Sequence, residues 1–218
     1  MNLVGHVAAA LTPDRRDPSS EFLVGCVLPD LAAIARVRLA TPGGDLGCGV
    51  EFHHACDAAF HESAWFRETN REVRDALLDA GVTTGAARAC SHAGTEMLLD
   101  GALVAEPRIE RCARRTLAAV DADAELLASL APADARAVVT RRLHLVGSSL
   151  DPVRYRDPVF VADRLQRMTA GRRRIEVRPR DVPNIADTLA RFAPGIHAAA
   201  PDIVAIVRRA VPSPRRPE

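Results

Sequence analysis

The 218-residue sequence contains no lysine: all 29 basic residues are arginine. Aromatic side chains are nearly as scarce, at 4%, with one Trp and one Tyr. A core so short of rings has to be aliphatic, which favours close-packed helices carrying small residues. The arginines are balanced by 28 acidic residues to a net charge of +1, which argues against a general attraction to nucleic acid or a membrane surface. No apolar run reaches bilayer-spanning length and no charged-then-apolar leader opens the sequence, so a soluble, cytoplasmic protein is expected. The cysteines (Cys26, Cys48, Cys56, Cys90, Cys112) are odd in number and include no CxxC pair. That is neither a disulfide framework nor a zinc knuckle; small core residues are expected, with a thiolate ligand the alternative near the histidines. The glycine-rich stretch Thr41–Gly49, TPGGDLGCG, reads as a flexible loop and lacks the GxxxxGK[ST] of a phosphate cradle.

What the chain does contain is helical periodicity. There is no internal repeat, no interdomain linker and no strand pattern beyond Arg174–Val177. The expectation is an all-α fold, one compact helical domain over 1–211, followed by a disordered tail, PSPRRPE, over 212–218.

The stretch Gly49–Glu62, GVEFHHACDAAFHE, dominates the functional reading. As a helix it places His53, Asp57 and His61 at successive four-residue steps, each turning only about 40° around the axis. Two imidazoles and a carboxylate on one stripe suit Zn, Mn or Fe rather than Ca. A solvent-facing polar stripe is the plainer alternative. His54 lies beside the stripe, and Phe52, Cys56 and Phe60 form an apolar stripe next to it.

A second stripe, His92, Glu96 and Asp100, falls on the small-residue helix expected over Thr84–Val104. Salt bridges to arginines such as Arg88 are the alternative use of its acids. His6 sits in the helix expected over Met1–Leu11, beside an apolar face. After the loop Thr12–Ser20, Ser20 is a candidate N-cap for the next helix, in which Pro29 should introduce a kink or restart. Asp30 follows that proline amid Leu28, Leu31, Ile34 and Val37. It needs a metal or an arginine as partner, or it caps a restarted helix.

Further along, Arg67–Ala80 reads as an amphipathic helix with Val73, Leu77 and Leu78 inward and Gly81 closing it. Helical patterns continue over 106–150, where the isolated His144 is expected to be structural, and over Val159–Ala170. Asp181–Ala210 reads as one or two helices interrupted near Pro194-Gly195 and Pro201. The nine arginines from Arg154 to Arg180 form a basic run, a solvated surface or a docking face for phosphate or an acidic partner.

Three segments, MNLVGHVAAA, EFLVGCVLPDLAA and GVEFHHACDAAFH, resemble the start of the acyl carrier protein phosphodiesterases. Those enzymes open with an MNFLAH-like helix, continue with a GNLLAD-like segment and carry a GIxxHRxID helix. The resemblance covers the N-terminal half and places His6, Asp30, His53 and Asp57 on the family's early His, its following acid and its HxxxD. It implies an HD-domain-like, metal-centred helix bundle that is Mn-dependent and removes 4′-phosphopantetheine from acyl carrier protein. The GxxxPD element over Gly25–Asp30 is also similar to helical zinc-dependent phospholipase C-like proteins. Cys26, His61 and the Ser91-His92 pair depart from the carrier-protein family, which has Asn, Asp and Asp-His there.

The expected protein is therefore a phosphodiester hydrolase holding one or two divalent ions, Mn first and Zn or Fe as alternatives. His6, Asp30, His53, Asp57, His61 and His92 are the expected ligands. His54 is the expected proton donor, with Glu96 or Asp100 as base or as support for the histidine ligands. The expected partners are a phosphodiester substrate and, through the resemblance, an acidic carrier protein. The rival readings are a di-iron oxygenase and a non-enzymatic helical binding protein whose histidines are structural.

Overall fold

The computed structural model describes residues 1–11, 18–35 and 37–211. Most of the loop expected over Thr12–Ser20 and the whole tail expected over 212–218 lie outside the described residues. The described chain is all-α, as expected from its periodicity. Its helices are α1 (Leu3–Ala10), α2 (Ser20–Ala35), α3 (Gly44–Glu62), α4 (Ala64–Asp79), α5 (Thr84–Leu103), α6 (Pro107–Ala122), α7 (Ala124–Ala128), α8 (Arg136–Ser149), α9 (Pro158–Thr169) and α10 (Val182–Ala210). Arg174–Val177 forms a turn and extended coil, and no described residue is in a strand.

Two glycines of Thr41–Gly49, Gly47 and Gly49, are used for close packing rather than for flexibility. α3 begins at Gly44, and α2 and α3 cross where Gly25 meets Gly49. A Cβ on Gly25 would stand 2.9 Å from the Gly49 Cα and would collide with the Leu46 carbonyl. Gly25→Ala should therefore force the helices apart and destabilise the fold by about 1–3 kcal/mol, measured by chemical denaturation. Gly195→Ala, where an added Cβ meets nothing within 4 Å, is the neutral-to-stabilising control.

Ser19 caps α2, one residue before the serine expected to do so: its Oγ accepts from Phe22 N–H at 3.1 Å. Pro29 lies inside an unbroken α2, so Asp30 is a mid-helix residue and not the cap of a restarted helix. α10 likewise runs through Pro194 and Pro201 without interruption. Both prolines are solvent-exposed, where a long helix tolerates a missing bond, while Ile185, Leu189, Ile196, Ile203 and Val207 face the core. Leu78, expected inward, is 37% exposed, whereas Val73 and Leu77 are fully buried. Gly81 ends α4 in the left-handed region at φ 82°.

α1 decides where the site sits. Its eight residues are all buried among α2, α3, α5, α6 and α10. So short a helix is marginal alone and is held by its surroundings. At its N-terminus Val4 N–H and Gly5 N–H donate to the two Asp100 carboxylate oxygens, at 3.1 and 2.8 Å. At its C-terminus Arg208 of α10 donates to the carbonyls of Ala8 and Ala9, at 2.6 and 3.4 Å. An acid at the first turn and a base at the last both match the helix dipole.

Candidate metal centre

Four helices bring the site together: α1 supplies His6, α2 Asp30, α3 His53, Asp57 and His61, and α5 His92 and Glu96. His53 and His61 are two full steps apart on α3, which is about 12 Å along the axis and about 80° around it. They consequently belong to two groups, with Asp57 between them.

The inner group is His6, Asp30 and His53, whose donor atoms all lie within 4.8 Å of one another. His53 Nδ1 donates to the Cys26 carbonyl at 2.8 Å, which leaves its Nε2 lone pair facing the site. The rings of His6 and His53 stack 3.9 Å apart. His6 Nε2 lies 2.9 Å from the Met1 carbonyl, 3.3 Å from Asp57 Oδ1 and 3.9 Å from Asp30 Oδ2. To hold an ion there it must give up the proton shared with Met1, the other ring nitrogen, Nδ1, being buried with no partner among the described residues. His53 Nε2 is 3.7 Å from Asp57 Oδ2. Separations of 3.7 and 3.9 Å are too long for hydrogen bonds, but ligands of one ion, each about 2.1 Å from it, stand roughly 3–4 Å apart. Asp30 Oδ2 is buried with no hydrogen-bond partner among the described residues, an unfavourable state for a carboxylate that no cation meets.

The outer group is His61, His92 and Glu96, also within 4.8 Å. The Met1 α-ammonium joins the two groups, 2.6 Å from Asp57 Oδ1 and 3.4 Å from Glu96 Oε1. Side-chain spacing gave no signal for Met1, because the participating atoms are backbone. Glu96 is met by Met1, His61 and His92 rather than by Arg88.

Two expected site residues take other positions. Asp100 holds the start of α1 and so fixes where His6 stands; burial raises its carboxyl to about 7 against the pull of its two N–H donors. Continuing from His92 and Glu96, the stripe turns about 80° by Asp100, which carries that residue beneath α1. His54 is exposed on α3, its ring edge-on to His53 at 5.3 Å and outside both groups. His144 pairs with Asp121 at 2.8 Å on the surface between α6 and α8.

At His6, His53, Asp57 and Glu96 the charge state is the one a metal ligand requires, while Asp30 would have to lose its proton to an incoming ion. Burial, reinforced by His6, lowers the His53 imidazole to about 3, so it is neutral. Burial also lowers His6. Burial pushes the Asp57 carboxyl up, but His6 and the Met1 ammonium overcome it and hold that group below the ordinary carboxylate range. At Glu96 burial is overcome in the same way by Met1, His61 and His92. Asp30 is driven well upward by burial, the Met1 ammonium offsetting it only in part. Burial raises the Cys56 and Cys90 thiols to about 12 and the Cys26 thiol well above its ordinary value. All three therefore read as core thiols.

The His53 shift has a testable sign. An unfolded chain takes up this proton near 6.5, the folded one near 3, so stability from the neutral ring is lost as pH falls through that window. Asp100 acts oppositely, since its neutral buried form is favoured as pH falls. The difference isolates His53: metal-free protein should lose thermal stability relative to His53→Gln between pH 6.5 and pH 4. Parallel melting curves for the two proteins would contradict the neutral-ring assignment.

Comparison with family models, with curated proteins and with solved structures gives no match in any of the three. Among the described residues no helix is long and apolar enough to cross a membrane.

Proposed function

We propose that this protein is a divalent-metal-dependent hydrolase of phosphodiesters, with the inner group holding the catalytic ion. The observation that carries the reading is the convergence of two buried imidazoles and the unpartnered Asp30 oxygen at co-ligand spacing, with Asp57 completing the set. His6, Asp30, His53 and Asp57 would hold the ion, Mn first and Zn or Fe as alternatives. When bound, such an ion supplies Lewis acidity toward a phosphoryl oxygen and a nucleophile at neutral pH.

The chain's own residues supply the rest. The Cys26 carbonyl fixes the His53 tautomer, and Asp100 sets the depth of His6 by anchoring α1. Asp57, with 31% of its side chain exposed, opens the group to solvent and admits substrate there. His54, exposed beside the inner group, is the proton donor assigned to the leaving alkoxide. The N-terminal resemblance supports a 4′-phosphopantetheine-bearing acyl carrier protein as substrate, docked on the Arg154–Arg180 run in the cytoplasm.

A second reading has one specific observation in its favour. Each group contains two histidines and one carboxylate, a set that non-haem iron oxygenases also use. Elemental analysis of protein purified without added metal separates the two. Mn or Zn, with turnover of bis(p-nitrophenyl) phosphate or holo-acyl carrier protein, is expected. Iron with an absorption change on reduction, and no phosphodiester turnover, would replace the hydrolase by the oxygenase.

A further inference from the structure

The geometry points to a second, separable divalent-cation site on the outer group, in which His61, His92 and Glu96 hold a zinc-type ion with one open coordination position. Its donors come from two helices and converge on a single atom: His61 Nε2 is 3.1 Å and His92 Nε2 3.3 Å from Glu96 Oε1. The same oxygen is 3.4 Å from the Met1 ammonium, so one carboxylate oxygen faces three nitrogens. A surface salt bridge needs only one of them.

The ring orientations are fixed by packing rather than left to solvent. His61 and His92 stack 4.9 Å apart at 27°, and each meets the Phe66 ring nearly edge-on, at 4.9 and 5.2 Å. Phe66 is 3% exposed, a rigid floor that turns both Nε2 atoms toward Glu96. Locked rings, a carboxylate only 13% exposed and co-ligand spacing make a preorganised three-donor site. Three protein donors of His2Glu type with a free position is the composition of an open zinc site, not of a closed structural one. The free position faces solvent, because the His61 and His92 side chains are 32% and 45% exposed. The inner histidines, His6 at 0% and His53 at 3%, are buried by comparison. The outer ion should therefore exchange faster and be the first lost to a chelator.

This site is independent of the hydrolase reading, because its test uses metal alone. Metal-free full-length protein is titrated with Zn(II) by calorimetry and with Co(II) by visible absorption. Wild type is expected to take up two equivalents. His92→Ala, a change at a half-exposed position, should take up one and lose the Co(II) band of the weaker event. His53→Ala should lose the other. His61→Asn, on the opposite helix, repeats the test should His92→Ala fail to fold by circular dichroism. An unchanged stoichiometry in the His92 and His61 variants, or a single equivalent in wild type, would overturn the outer site. Two equivalents bound without any phosphodiester turnover would leave this site standing and remove the hydrolase.

Discussion

Asp57→Asn is expected to leave a folded protein that has lost phosphodiester hydrolysis and more than about 100-fold of its affinity for the inner ion. Asp57 touches both histidines of the inner group and the Met1 ammonium. It meets His6 at 3.3 Å, His53 at 3.7 Å and the Met1 ammonium at 2.6 Å. Asparagine keeps the shape and one acceptor oxygen but removes the charge that a divalent ion and an ammonium both require. With 31% of its side chain exposed, Asp57 is not a core element, so the loss should appear in metal content and kcat rather than in unfolding. A folded Asp57→Asn protein that keeps its full metal load and turnover would eliminate the inner group as the catalytic centre.

The second large effect is on stability and should come from Asp100→Ala. Two buried N–H groups, on Val4 and Gly5, would lose their Asp100 acceptor, at about 1–3 kcal/mol each. That is a large share of the roughly 5–15 kcal/mol available to a folded domain. For a chain of this size it corresponds to a drop in Tm of roughly 5–20 °C. Hydrogen exchange at Val4 and Gly5 should accelerate, and Asp100→Asn should recover part of the loss through its remaining oxygen. A different outcome would return Asp100 to the chemistry that its spacing suggested. If Asp100→Asn were fully stable and fully inactive, it would be acting as a base and not as an anchor.

These two aspartates mark how far the sequence could be read. Asp57 was legible because a four-residue step keeps side chains on one face, and His53 lies on that face in a helix long enough to be secure. Asp100 sat on an equally regular stripe, but the stripe's slow rotation carried it away from the histidines and beneath α1. Regular spacing fixes direction over one step and loses it over two. Asp30 could be placed only once α2 was seen to pass unbroken through Pro29, since local rules allowed either a cap or a ligand. The prolines of α10 misled for a related reason: a proline's penalty depends on which side of the helix faces water. The glycines of Thr41–Gly49 were read as slack because a close helix crossing involves the partner helix, which single-segment composition does not reveal. Met1 was invisible, as its contribution is an amine and a carbonyl of the backbone.

The clamp on α1 has a consequence for how the protein is made. His6 lies on a helix whose last carbonyls are held by Arg208, two hundred positions further along the chain. On the ribosome α1 emerges long before this C-terminal partner on α10. His53, Asp57, His61, His92 and Glu96 can be in place, on α3 and α5, while α1 still lacks its seat. The centre should therefore close only once α10 has been made, and metal loading should follow that step. Ribosome-bound chains stalled before Arg208 should retain no inner ion, whereas released full-length protein should.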